Sequence, residues 1–132
     1  MSFKHTGTVN LQTERLLLHR FNFNDIESML NNWIANPTIQ HNYGEPTYET
    51  KDSVRQLLNK WVSQYKNDSF YRWAIILKET NENIGQIAFC RVYTQIKIAE
   101  IEYCIGESYW GNSYASKSLK SILKYSFENL VF

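Results

Sequence analysis

Ile98-Ala99-Glu100-Ile101-Glu102-Tyr103-Cys104-Ile105, closed by Gly106, alternates an apolar set with Glu100 and Glu102, as a strand with a period of two does. After a short polar connection, Trp110-Gly111-Asn112-Ser113 leads into Tyr114 to Leu130, where Ala115, Leu119, Ile122, Leu123, Phe127 and Leu130 recur at three- and four-residue steps. Strand, turn of small residues and amphipathic helix therefore follow one another. Such a turn directs the first backbone N–H groups of the helix outward, where no intrahelical carbonyl can satisfy them, at the positive end of the helix dipole. A phosphate suits that place.

Upstream, Phe70 to Leu77 and Ile84 to Val92 read as strands joined by the turn Thr80-Asn81-Glu82-Asn83, and Tyr93 to Lys97 links them to the Ile98 strand. Three strands with short connections make an antiparallel meander. Before them, a helix beginning near Thr50 or Asp52 carries Val54, Leu57, Leu58, Trp61, Val62 and Tyr65 on one face. Thr38 to Thr47, with His41, Asn42, Tyr43, Gly44 and Pro46, reads as a loop of the kind that lines sites. An earlier helix runs through Ile26, Met29, Leu30 and Trp33, capped by Asn22 to Asp25 and ended by Asn36-Pro37. Glu14 to Phe21 reads as a strand, and the first ten or so residues read as loosely held. The sum is an α+β fold, β-α-α-β-β-β-α, around a mainly antiparallel sheet.

The 132 residues suit one domain, 1–132, and 14 Lys plus Arg against 13 Asp plus Glu leave a net charge of +1. Nothing in that balance favours nucleic acid or an anionic membrane as a partner, so an anion site must be local. Cys90 and Cys104 each sit among apolar residues of a strand and read as buried thiols. Met1 to Gly7 has no apolar signal core, nowhere do about 18 apolar residues run together, and a cytoplasmic protein is expected. His19 and His41 lack the companions of a metal site, and none is expected.

The order Trp110-Gly111-Asn112-Ser113-Tyr114-Ala115 resembles the pyrophosphate loop of the GNAT N-acetyltransferases, in particular the RimJ/RimL-type ribosomal-protein branch, whose pattern is Trp-Gly-x-Gly-Tyr-Ala. Ser113 stands where that pattern has its second glycine. Thr13-Glu14-Arg15-Leu16 resembles the opening of the same branch, and the element order resembles the family from about Gln12 onward. The resemblance implies transfer of an acetyl group from acetyl-CoA, as co-substrate and without a metal, to a primary amine, either a protein N-terminus or a small molecule. It further implies a phosphate cradle from Gly111, Asn112, Ser113, Tyr114, Ala115 and Ser116 with Lys117 in reach. Cys104, Ile105 and Trp110 would stand near the pantetheine. Glu100 matches the place of the family's frequent general base, with Glu102 assisting; a merely solvated face is the other reading of this pair. His41, Tyr43 and Trp73 are acceptor-pocket candidates by analogy.

The family fold continues with a further strand, helix and strand pair, where a Tyr or Ser usually serves as general acid, and this sequence stops at Leu130-Val131-Phe132. A C-terminally truncated fold is therefore expected. A catalytically incompetent remnant that binds acyl-CoA or forms oligomers stays open beside the enzyme. So does an unrelated α+β interaction domain. The unpaired edge of the Ile98 strand implies either a piece of a longer protein or a homo-oligomer, formed by pairing these strands or exchanging C-terminal helices and burying Tyr114, Phe127, Val131 and Phe132.

Overall fold

The computed structural model describes residues 4–93 and 98–130; within them, the side chains of Tyr43, residues 91–93 and Ile98 fall outside the description. Thr94 to Lys97 of the expected link, and Val131 and Phe132, also lie outside it. The elements are β1 (Leu11–Gln12), β2 (Leu16–His19), α1 (Ile26–Asn32), α2 (Pro37–Tyr43), α3 (Lys51–Gln64), β3 (Tyr71–Leu77), β4 (Glu82–Tyr93), β5 (Ile98–Ile105) and α4 (Tyr114–Asn129). Two 3-10 turns, Phe23–Asp25 and Glu107–Tyr109, precede α1 and α4. The strands form one sheet in the order β1-β2-β3-β4-β5, with every neighbouring pair antiparallel. The α+β class and the meander are as the alternation indicates.

Strand parity sorts the side chains onto two faces. Leu16, Leu18, Tyr71, Trp73, Ile75, Ile87, Phe89 and Ile105 pack with Tyr114 and Ile122 of α4 and with Leu130, which caps it. On the other face Ala74, Ile76 and Cys104 pack with Met29, Trp33, Val54 and Leu58. Thr50 begins α3 with its side chain accepting from Ser53 N–H at 3.1 Å. The apolar stripe of α4 is wider than the sheet covers, so Leu123 is 37% and Phe127 76% exposed.

Three expectations are corrected. Residues 37–43 are the helix α2, not loop: the Asn36 side chain accepts from the N–H groups of Thr38 and Ile39, Pro37 takes the first helical position, and Gly44 ends the helix at φ 79°. The N-terminal segment is pinned by polar contacts that carry no periodicity. Lys4 N–H donates to Leu130 O at 2.8 Å, Gly7 N–H to Asp68 O at 2.7 Å, and the Thr8 hydroxyl to Phe70 O at 2.8 Å. Finally, Cys90 is exposed although Cys104 is buried. The β4–β5 register slips between Phe89 and Arg91, which leaves Cys90 as the extra residue of a bulge.

Gly85 faces Ile75 on one side and Ile105 on the other, and a Cβ built there would lie 2.1 Å from Cys104 O. Only glycine lets β4 and β5 approach so closely. Gly85→Ala is expected to lower unfolding stability by about 3 kcal/mol, seen as a lower urea midpoint at unchanged slope.

Asp25 is buried, and desolvation pushes its carboxyl above the ordinary value of 3.8, against the hydrogen bond from Asn22 N–H and the charge of His19. A raised carboxylate contributes stability that is present below its unfolded value and lost as pH rises through its folded value. Asp25→Asn keeps an acceptor for Asn22, so its stability relative to the parent should be higher at pH 7 than at pH 3, as measured by urea unfolding at both.

Candidate active site

Arg72 of β3 stands opposite Ala88 of β4, and Ala88 stands opposite Glu102 of β5. The small middle residue leaves a lane along which the Arg72 guanidinium reaches the Glu102 carboxylate, Nη2 to Oε1 at 2.8 Å. The other terminal nitrogen, Nη1, donates to Gln86 Oε1, and the guanidinium lies 4.4 Å from the centroid of the Trp61 ring. Above this row, between the sheet and α1–α3, is a cavity of about 100 Å³ to which Trp33, Gln40, Glu45, Tyr48, Trp61 and Glu102 contribute. Gln40 is 2% exposed, and its Nε2 donates to Pro46 O at 2.9 Å.

A second cavity, about 400 Å³, opens along the free side of β5, lined by Ile39, Asn42, Tyr103, Cys104, Ile105, Trp110 and Ala115. Residues 39 and 40 of α2 and residues 102 to 104 of β5 divide between the two cavities, so the spaces adjoin. The Trp110 indole donates to Ile105 O at 2.8 Å and stays 54% exposed. Burial pushes the Cys104 thiol up to about 12, helped slightly by the nearby Glu102 charge, so it stays protonated and is no nucleophile at neutral pH.

The turn into α4 is built from left-handed residues. Gly111 has φ 83° and Ser113 φ 62°, and Ser113 gives α4 no side-chain cap. Ser113, in the second glycine's place, thus takes a conformation that a residue with a Cβ disfavours. Helix geometry leaves the N–H groups of Tyr114, Ala115 and Ser116 without intrahelical acceptors. A Cβ at Gly111 would meet nothing within 4 Å, so the turn is open to solvent. An uncapped sixteen-residue helix behind an open turn fits an anion of phosphate size. Tyr114 is 4% exposed beneath the Arg15 guanidinium, 5.1 Å from its centroid, so it offers a ligand only its backbone. Lys117 is exposed and shares a small cavity of about 40 Å³ with Arg15 and Asn112.

The structure brings Cys104, Ile105, Trp110 and Ala115 together at one cleft, with the 111–117 turn beside it. Glu102 lines the buried cavity, whereas Glu100 is exposed and does not. Trp73 does not reach an acceptor pocket: it is 0% exposed on the α4 face, its indole donating to Val9 O at 2.6 Å. Its neighbour Arg72 points to the opposite face, as adjacent strand residues must. His41 is exposed on α2, and the Tyr43 side chain lies outside the described residues. Sequence reasoning missed Arg72, Gln86 and Gln40. The signal for Arg72 was a lone charged residue in an otherwise apolar strand, whereas Gln86 shares β4 with Glu82, Asn83 and Arg91 and carried no such signal. Among the described residues no group of His, Cys, Asp and Glu is placed to hold a metal, and no helix is long and apolar enough to cross a membrane.

Residues 15–132 match the family model described as an acetyltransferase (GNAT) domain. The chain belongs to this family. A relative, the uncharacterised N-acetyltransferase YoaA of Bacillus subtilis, is 28% identical over 120 residues, which are 91% of this chain and 67% of the relative. The chain thus spans about two thirds of the length of the curated relatives it matches. The crystal structure of a GNAT-family acetyltransferase from Bacillus anthracis superposes with a TM-score of 0.74 at 24% identity, covering 91% of this chain and 67% of that one. A ribosomal-protein-S5-alanine acetyltransferase from Vibrio fischeri gives a TM-score of 0.70 at 16% identity, with 91% and 68% covered. At these identities the two structures establish the GNAT fold alone.

Glycine at position 113 would remove the left-handed penalty, about 1–2 kcal/mol, and add chain entropy cost of about 0.5–1 kcal/mol. Ser113→Gly is therefore expected to raise stability by up to about 1 kcal/mol, read as a higher urea midpoint.

Proposed function

We propose that the chain, as one GNAT domain over residues 1–132, binds acetyl-CoA and directs its acetyl group to a primary amine, in the manner of the RimJ/RimL-type branch. The observation that carries this reading is the open, uncapped turn before α4 adjoining the cleft along β5. Bound there, acetyl-CoA supplies an activated acyl group: the C–N bond forms, the C–S bond breaks, and CoA leaves as a thiolate that takes up the second proton given up by the acceptor nitrogen.

The residues divide the work as follows. Backbone N–H groups from Gly111 to Ser116 hold the pyrophosphate, with Lys117 and Arg15 close to it. Cys104, Ile105 and Trp110 border the acyl arm and shield it from water. The acceptor enters the adjoining cavity, where Glu102 meets the ammonium and takes its proton. Glu100 keeps the lesser part because it stands outside that cavity. Glu45 and Glu102 against Arg72 leave the lining with net negative charge, which favours a cation.

Acetyl-CoA at a hundredfold excess over its Kd should stabilise the fold by about 2.7 kcal/mol, read as a rise in melting temperature. Gly111→Val should abolish most of that rise without unfolding the domain, because its Cβ meets no neighbour but strains the left-handed backbone. Glu102→Gln should lower thiol release with amines by about 10²-fold, and Glu100→Gln by much less. Binding without turnover on any amine would favour the incompetent acyl-CoA-binding reading.

The same reading has the chain self-associate through the C-terminal helices of two copies, which leaves the cleft along β5 open to acetyl-CoA. Support comes from the apolar side chains that α4 leaves in water, Leu123, 37% exposed, and Phe127, 76% exposed. Tyr114 is spent in the chain's own core and cannot join such an interface. Light scattering should give twice the chain mass, and Phe127→Asp should halve it.

A further inference from the structure

One buried carboxyl has no part in the reaction proposed above: Asp25, 6% exposed, in the turn that starts α1. The buried Asn83 amide stands between it and the wall of the cavity beside Glu102. Asn83 Oδ1 accepts from the Trp33 indole at 2.8 Å and from Gly85 N–H at 3.1 Å. Two donors on one oxygen forbid a flipped amide, so Nδ2 is directed away from them. There no hydrogen bond of full geometry completes it, and the Asn83 side chain helps hold the Asp25 carboxyl down. The backbones are tied at the same place: Asn83 N–H donates to Ser28 Oγ at 3.1 Å, and the Ser28 hydroxyl to Asp25 O at 3.3 Å. Trp33, at the far end of the amide, contributes to the cavity wall.

A charged acceptor draws an amide N–H roughly twice as strongly as a neutral one. We infer that Asp25 is a positioning residue for this cavity: ionised, it anchors Asn83 and through it the Trp33 indole, and on taking up a proton it loosens both, so that the Trp33 wall shifts. Burial supports this by raising the carboxyl above 3.8, so that as pH falls the change comes before an ordinary aspartate takes up its proton. Among the described residues the charged or titratable groups facing Asp25 are His19 from β2 and Tyr65 after α3, whose hydroxyl burial keeps neutral. Asn83 from β4 and Asn22 in the same turn bring only neutral donors. Trp33 does not line the cleft along β5, so acetyl-CoA bound there is not affected. That the shifted wall matters to the acceptor rests on the acetyltransferase reading; the coupling of Asp25 to Trp33 does not.

The indole N–H groups of the four tryptophans are followed by NMR in the whole chain as pH is lowered from neutral, each assigned from its backbone connectivities. The Trp33 peak should move with a single midpoint above 3.8, the same midpoint at which the Asp25 carboxyl carbon titrates. The Trp73 and Trp110 indoles, bonded to Val9 O and Ile105 O, should not follow it. In Asp25→Asn, which is neutral yet keeps an acceptor, the Trp33 peak should stand at every pH where the parent's stands at its acid limit. His19→Gln should keep the movement and carry it to higher pH, since a cationic neighbour is lost. A Trp33 peak that stays still while the Asp25 carboxyl titrates overturns the inference. So does a movement that persists in Asp25→Asn, or an Asp25 midpoint at or below 3.8. The comparison of carboxyl and indole on the parent chain needs no variant, so misfolding of either variant leaves the test intact. If acetyl-CoA does not raise the melting temperature while the Trp33 peak still titrates with Asp25, the acetyltransferase reading falls and the coupling stands.

Discussion

The Arg72 guanidinium is the tie on which the centre of the molecule depends. It crosses β4 to join three strands, through Gln86 and Glu102, and carries the Trp61 ring of α3 against the same face. Adjacent strands lie about 4.8 Å apart, so β3 and β5 are nearly 10 Å from one another, a gap that the Arg72 and Glu102 side chains close only by reaching toward each other. Ala88, 0% exposed, makes that reach possible because any larger residue in the row would fill the lane. A charge taken so far out of water gains stability only while its partners stay in place. Register between β3, β4 and β5 is therefore coupled to the polarity of the cavity above them.

That coupling explains why the buried cavity and the cleft along β5 are neighbours. Gly85 permits close approach of β4 to β5 at Cys104, and the same strand turns its next inward residue, Gln86, toward Arg72. One strand segment, Glu102 to Ile105, thus serves a polar chamber on one side and an apolar channel on the other. Asn32 of α1 donates to Asn83 O at 2.9 Å, and the Trp33 indole to Asn83 Oδ1 at 2.8 Å. These two bonds anchor α1 over the start of β4, and the chamber's roof with it.

Much of this architecture was legible in the sequence. The alternation from Ile98 to Ile105 and the three-and-four spacing after Tyr114 gave β5 and α4 nearly residue for residue, since each element shows one clean period. The identity of Glu102's partner was not legible, because register decides it and register is a property of two strands at once. The helix α2 went unread although Asn36, Pro37 and Gly44 carry its start and stop signals, because His41, Asn42 and Tyr43 between them suggest a loop. Cys90 was misplaced since a bulge inserts one residue without changing the apolar pattern around it. Trp73 was a failure of a different sort: the parity of adjacent residues already separates it from Arg72.

Ser113 shows how the turn keeps a conformation its own residue disfavours. Backbone strain persists only where the surroundings over-determine it. Here the Trp110 indole is fixed to Ile105 O, Asn112 Nδ2 donates to Tyr109 O at 3.1 Å, and Tyr114 is locked in the core beneath Arg15. Those three anchors flank Gly111 and Ser113 on both sides. The peptide units between them cannot relax into a right-handed turn without pulling Tyr114 from the core or breaking the indole bond. Packing that has no part in ligand contact thus holds the N–H groups of the first turn outward, and the turn proposed to cradle an anion is set before any ligand arrives.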